Sequence, residues 1–237
     1  MEQPTPPGIA QKVKRRLEDP FKTFKAYERI IAAVCISIPL ILRIYDKDIF
    51  YPVKVKLVAS DNLTDAVPKI EKDWLGFRLS ISDYAYSLNS YLFGMLLCIA
   101  AMLFIFNGAV YFKSQRSLSL NSKGKWYNVI LGISLLGVIC CPHRDWQILH
   151  YIFAAIFFFG NAIVTIVFHN KDDKKKSITM GILTVIFLLL AFLDDHFKLI
   201  GGHFTIFWGE WFSLTVIGIH LILESRLVNY YRFKKND

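Results

Sequence analysis

Long apolar runs alternate with shorter polar and basic stretches along most of the chain. Each of the six longest runs is near or slightly below the ~20 residues with which a helix crosses the hydrocarbon core of a bilayer. The runs are Ile30 to Tyr45, Ser90 to Phe112, Trp126 to Cys141, Trp146 to Phe168, Ile178 to Leu193 and Phe204 to Leu223. The pattern predicts an all-α membrane protein, a bundle of six transmembrane helices.

Soluble helices, barrel strands and a signal peptide fit the apolar runs less well than transmembrane helices do. A buried core helix of a soluble protein could account for one such run, but not for six in succession. Strands of a membrane barrel would alternate apolar and polar residues, whereas these runs are continuous. The run at Ile30 to Leu42 lacks the small-residue cleavage site of a signal peptide. An aromatic content of 15% and a mean hydropathy of +0.38 agree with a membrane protein.

Basic residues indicate the orientation of the predicted bundle. Lysine and arginine are concentrated in the N-terminal arm, in the second-to-third and fourth-to-fifth connections, and in the C-terminal tail. Because basic connections stay on the cytoplasmic side, both termini are predicted to be cytoplasmic. The same distribution explains the net charge of +9 through contact with anionic headgroups. Nucleic acid is therefore not an expected partner.

The orientation divides the chain into five parts. They are a basic cytoplasmic arm (1–29), the first transmembrane helix (30–45), an extracytoplasmic cap (46–89), the remaining five helices (90–224) and a basic cytoplasmic tail (225–237). Within the cap, Tyr51 to Leu57 alternates at period two, which predicts a short strand. The cap is too short to hold a core of its own, so we expect it to rest on the helix ends.

Ionisable residues are concentrated near the predicted extracytoplasmic surface. They are Asp83, His143, Asp145, His150, Asp194, Asp195, His196, His203 and Glu210. Because such groups are costly inside a bilayer, they should face the bundle interior or a water-filled cavity. Helical spacing places His150 and Asn161 on one stripe of the fourth helix, and His203 and Glu210, seven residues apart, on one face of the sixth.

Several short motifs, in a fixed order along the chain, resemble a known family. They are Leu79-Ser-Ile-Ser-Asp83 followed by Tyr91-Leu-Phe-Gly94, then Leu149-His-Tyr-Ile-Phe-Ala-Ala-Ile-Phe-Phe-Phe-Gly160, then Phe204-Thr-Ile-Phe-Trp-Gly-Glu-Trp211. The stretch from Ser80 to Glu224 is similar to the six-span DRAM/FRAG/SFK group and its bacterial relatives of unknown function. The resemblance implies a lipid-related role, and it carries over Asp83, His150 and Glu210 as site residues.

The sequence leaves three functions open. The first is a lipid-related binding or structural component, whose expected partners are membrane lipids and other membrane proteins, with Asn161, Asp194, Asp195, His196 and His203 as further ligand-binding candidates. The second is a lipid hydrolase or transferase in which Asp83, His150 and Glu210 are the catalytic acid–base set.

A metal-assisted form of this enzyme would use His143, His150, His196 or His203 with Asp194 or Asp195, although no metal-binding motif is present. No metal or other cofactor is therefore expected.

The third function is a proton or ion transporter subunit, for which the acids would form a relay. The short runs and Lys-rich connections favour a bacterial inner membrane over a eukaryotic endomembrane.

Overall fold

A computed structural model describes residues 20–46, 72–114, 126–168 and 174–234. It contains six α-helices: α1 (Pro20–Ile44), α2 (Ser90–Ser114), α3 (Tyr127–Cys140), α4 (Gln147–Val167), α5 (Lys174–Phe197) and α6 (Ile206–Lys234). A short 3₁₀ helix, Ser82–Tyr86, precedes α2. The described residues form no strand beyond one isolated bridge between Lys72 and Arg78. The predicted strand at 51–57 lies outside the described residues.

The six helices coincide with the six apolar runs. Four of them, α2, α4, α5 and α6, are long and apolar enough to cross a membrane. Helix α3 is apolar but has only 14 residues. Helices α1 and α6 extend beyond the predicted runs, beginning at Pro20 and ending at Lys234. The basic ends of these two helices are not apolar, so hydrophobicity alone does not predict them. Lysine and arginine are nevertheless good helix formers, and the helices continue through them.

The helices pack as a closed ring in chain order. Each helix contacts its neighbours along the chain, and α6 returns to pack against α1. The burial pattern is that of a protein in lipid. Large apolar side chains such as Met95, Ile152 and Leu189 are exposed on the outer surface, whereas Asn107, Asn128 and other polar side chains are buried inside the ring. Such an arrangement suggests insertion into a membrane.

A proline interrupts the hydrogen bonding of α1 next to the centre of the ring. Pro39 has no backbone N–H, so the carbonyl of Cys35 loses its helical partner, and the ring of a proline loosens the preceding turn. In this loosened turn the carbonyl of Ile36 accepts a hydrogen bond of 3.2 Å from Nε1 of Trp211 on α6. Trp211 therefore ties the weakened part of α1 to the neighbouring helix.

Close helix packing at Gly132 leads to a first prediction. A Cβ atom there would lie 2.6 Å from the carbonyl oxygen of Ala101, which belongs to the backbone of α2 and cannot move aside. Gly132→Ala is therefore expected to destabilise the protein by about 1–3 kcal/mol, measured as unfolding in detergent. Gly94→Ala is the matched control, because nothing lies within 4 Å of its added Cβ. An equal loss in both variants would contradict close packing at Gly132.

Candidate functional site

Residues 72–89, which we call the cap segment, lie across one end of the ring. Its first part is a turn in which Asp73 Oδ1 accepts hydrogen bonds from the backbone N–H groups of Leu75 and Phe77. The other carboxylate oxygen of Asp73 accepts a bond of 2.8 Å from Trp208 Nε1. The ring of Phe77 stacks on Phe207, with centroids 4.7 Å apart. The cap segment is thereby attached to the start of α6.

A buried ion pair joins the cap segment to α1. Arg78 donates from Nη2 and Nε to Asp46 Oδ1, at 2.7 and 3.0 Å, and both side chains are almost fully buried. Arg78 also donates to the backbone carbonyl of Asp83 and lies over the ring of Tyr84. Burial raises the pKa of the Tyr84 phenol to about 12, so Tyr84 stays neutral at physiological pH.

The Ser80–Asp83 turn is held by reciprocal hydrogen bonds. The N–H of Ser80 donates to Asp83 Oδ2 at 2.9 Å, and the N–H of Asp83 donates to Ser80 Oγ at 3.1 Å. This is the pattern of a capping box at the start of the 3₁₀ helix. Within the turn, the N–H of Ile81 donates to Glu210 Oε2 at 2.7 Å. Two of the three predicted site residues, Asp83 and Glu210, therefore position the same turn.

His143 connects Asp83 with His150. Its Nε2 lies 3.4 Å from Asp83 Oδ1, and its ring centroid lies 5.7 Å from that of His150. His150 is buried, and its Nδ1 lies 2.8 Å from the carbonyl oxygen of Cys141. Because a carbonyl only accepts, Nδ1 carries the hydrogen, and Nε2 of neutral His150 is left with a lone pair. The sequence indicates His143 only as a metal ligand, not as this link.

A cavity lies inside the ring beneath the cap segment. Its empty volume is about 550 Å³, including the space at its open side. Its polar lining residues are Ser82, His150 and Glu210, and the remaining lining residues are apolar, from the cap segment and from α1, α2, α3, α4 and α6. His150 and Glu210 thus line the same cavity. Asp83 is not among the lining residues. It follows Ser82 in the chain, and its carboxylate contacts His143.

The other predicted ligand-binding residues are placed differently. Asn161 is buried but donates within α4 to the carbonyl of Phe157. Asp194 is fully buried, and its carboxylate accepts from the backbone N–H groups of Ile200, Gly202 and Phe204. It therefore folds the α5–α6 turn. Asp195 and His196 are exposed at the end of α5.

His203 does not share a helical face with Glu210, so that prediction from spacing was wrong. His203 is exposed in the turn before α6, which begins at Ile206. Asp194 accepts from the N–H of Phe204, and Thr205 accepts the first backbone bonds of α6, from Trp208 and Gly209. The helical period thus starts after His203. Among the described residues, no group of three His, Cys, Asp or Glu could hold a metal ion.

Comparison with known proteins yields one family. Residues 37–225 match the model of DUF7103, described as a family of unknown function. Neither the curated proteins nor the solved structures include a match to the chain. These comparisons do not connect the chain with the DRAM/FRAG/SFK group. The match covers most of the chain, including Ser82, Asp83, His143, His150 and Glu210, and the protein therefore belongs to the DUF7103 family.

Proposed function

We propose that the protein is a six-span membrane protein that binds one amphipathic lipid molecule in the cavity inside the ring. The observation that carries this proposal is that the cavity has a polar end and an apolar remainder. Ser82, His150 and Glu210 lie at the end covered by the cap segment, and apolar side chains line the rest.

The order of the helices supports six crossings. Helix α2 starts at the cap segment, where Asn89 bonds to Tyr45, and α4 also starts there, because the N–H of Arg144 donates to Tyr86. The chain must therefore return between α2 and α4, and α3 is the helix that connects them. At the opposite end of the ring, Arg29 of α1 bonds to Ser225 of α6. Helix α1 thus runs the length of the bundle beside α6.

The distribution of charge supports an extracytoplasmic position for the cap segment. The described helix ends at the opposite end of the ring, where α1 begins and α6 ends, are basic, with Arg29, Lys174, Lys175 and Arg226 among them. Because connections rich in lysine and arginine stay in the cytoplasm, the cavity lies on the outer side of the membrane. Its occupant would then come from the outer leaflet.

The position of the histidines favours binding over catalysis. A nucleophilic mechanism needs a hydroxyl or thiol within hydrogen-bonding reach of its base. In the part of the chain that the structure describes, neither His143 nor His150 is bonded to the side chain of a serine, threonine or cysteine. Asp83 and Glu210 both accept backbone hydrogen bonds that fix the cap segment. Their contacts are those of residues that shape a site.

The floor of the cavity favours binding over conduction. Phe157 lines the cavity about two helical turns below His150, ~10 Å at 1.5 Å per residue. Its ring meets Phe104 of α2 edge to face, with centroids 5.6 Å apart, and both rings are almost completely buried. Together they close the cavity toward the other half of the bundle. A relay of ionisable groups would be interrupted at this level.

Filling the cavity tests the proposal. Ala154 of α4 lines the cavity, whereas its neighbour Ala155 is exposed on the outer surface. Ala154→Phe is expected to weaken binding of a fluorescent single-chain lipid by about tenfold or more, which is ~1.4 kcal/mol, because the added ring takes the place of the ligand. Ala155→Phe should bind as the unaltered protein does. Equal binding by both variants, each folded by thermal unfolding in detergent, would place the lipid outside the cavity.

A further inference from the structure

Among the described residues, the polar end of the cavity has a hydroxyl, an imidazole and a carboxyl group and no cation. Its side chains are Ser82, His150 and Glu210, and no lysine or arginine is among the lining residues. Phosphate and carboxylate groups are normally held by arginine, lysine or free backbone N–H groups. The backbone N–H of Ile81, which is next to Ser82, already donates to Glu210. The site therefore offers little to an anionic headgroup.

Two of the three polar side chains are free to accept from a ligand. The hydrogen on Nδ1 of His150 is directed to the carbonyl of Cys141, so Nε2 presents a lone pair. Glu210 uses Oε2 to accept from Ile81, and no described residue donates to its other carboxylate oxygen. A ligand with several N–H donors would satisfy both groups at once.

The nearby arginines are committed to other groups. Arg78 is paired with Asp46 and stacked on Tyr84, and Arg144 lies over Tyr86 with its guanidinium carbon 4.4 Å from the ring centroid. Asp83 has His143 as its side-chain ion-pair partner. Among the described residues no neighbouring cation is positioned to neutralise the carboxylate of Glu210, so a proton would neutralise it in the empty site and an ammonium group would do so in the occupied one.

We infer that the ligand is an alkyl amine whose ammonium group pairs with Glu210 and donates to His150, while its alkyl chain occupies the apolar part of the cavity. This inference rests on the proposed function and names its ligand. The amine must be attached directly to the chain. In an amine-headed phospholipid a phosphate would separate the two, and it would lie among apolar side chains without a donor.

The test compares four ligands with the same eight-carbon alkyl chain, whose length matches the ~10 Å between His150 and Phe157: octylamine, octanol, octanoic acid and octyl phosphate. Binding to the purified full chain in nanodiscs is measured by displacement of the fluorescent single-chain lipid, with Ala154→Phe protein giving the background. We expect octylamine to bind about tenfold or more tightly than the alcohol, and the two anionic ligands to bind more weakly than the alcohol.

Glu210→Gln separates the headgroup contact from the fold. The glutamine keeps a carbonyl that can accept from the N–H of Ile81, so the turn stays in place while the charge is lost. The variant should lose the preference for the amine and keep its affinity for the alcohol. Asp145→Asn, which removes an exposed acid from the α3–α4 turn, should retain the preference. Thermal unfolding confirms that each variant is folded.

The outcomes distinguish the two proposals. Tight binding of the alcohol, the acid or the phosphate that depends on Ala154, without preference for the amine, overturns the inference and leaves the lipid-binding function standing. An amine preference that survives Glu210→Gln also overturns the inference. If the fluorescent lipid binds above the Ala154→Phe background but none of the four ligands displaces it, the inference fails and the proposed function stands; if the fluorescent lipid itself does not bind above that background, both fail.

Discussion

Arg78→Ala is expected to lower the free energy of unfolding by about 3 kcal/mol, the low end for breaking a buried ion pair, because the carboxylate of Asp46 loses its guanidinium partner and keeps only Lys72, whose Nζ lies 3.2 Å from Oδ2. The variant also loses the hydrogen bond to the carbonyl of Asp83 and the contact with Tyr84. The cap segment should then detach before the helices separate. Unfolding in detergent, followed by tryptophan fluorescence, measures both steps, since Trp208 bonds to the cap segment through Asp73.

The control for Arg78 is the other arginine that lies over a tyrosine. Arg144 is exposed, and its cation–π contact with Tyr86 should contribute only ~0.5–1 kcal/mol. Arg144→Ala is therefore expected to change stability by no more than this amount. Arg78→Lys should fall between the two variants, because an ammonium cannot reproduce the two bonds to Asp46 Oδ1. Equal stability of the two alanine variants would contradict a structural role for the buried pair.

Asp194→Ala is expected to destabilise the protein by about 2–4 kcal/mol, since three backbone N–H groups of the α5–α6 turn lose their acceptor. Water can replace only part of these bonds. The turn contains Lys198, Gly201 and Gly202 at positive φ, a conformation that is costly for the lysine and that the bonds to Asp194 help to hold. Chemical unfolding in detergent gives the size of the loss.

Asp195 provides the control, because it is the next residue and is exposed. Asp195→Ala should change the stability by less than about 0.5 kcal/mol. The pair also tests the role that the sequence suggested for Asp194. Loss of lipid binding at unchanged stability in Asp194→Ala would favour a ligand contact over the hydrogen bonds of the turn.

The sequence predicts the helices better than the contacts between them. The apolar runs locate all six helices, because hydrophobicity along one segment is a local property. The same local reasoning cannot distinguish Asp194 from Asp195, since one is buried only through the later course of the chain at Gly202 and Phe204. The spacing of His203 and Glu210 predicted a common face, but the helix begins after His203.

In the candidate site, too, the local contacts can be predicted from the sequence and the long-range contacts cannot. The motif Ser80-x-x-Asp83 has the form of a capping box, so its reciprocal bonds could have been predicted from the sequence. The contact of Glu210 with Ile81 and that of His143 with Asp83 join residues far apart in the chain. No pattern along one segment reports such contacts. They depend on the ring of helices, which brings the cap segment, the α3–α4 turn and the start of α6 together.

The closed ring has one contact between helices that are not consecutive in the chain, and we call this contact the seam. Five of its six neighbouring helix pairs follow one another in the chain, whereas α1 and α6 meet without any covalent connection between them. Across this seam Trp211 holds the turn that Pro39 loosens, and Gly218 lies against the backbone of Ala32. Because no loop joins α1 to α6, the bundle can widen between these two helices without stretching a connection. The dissociation rate of a ligand bound in the cavity would then depend on the contacts between α1 and α6.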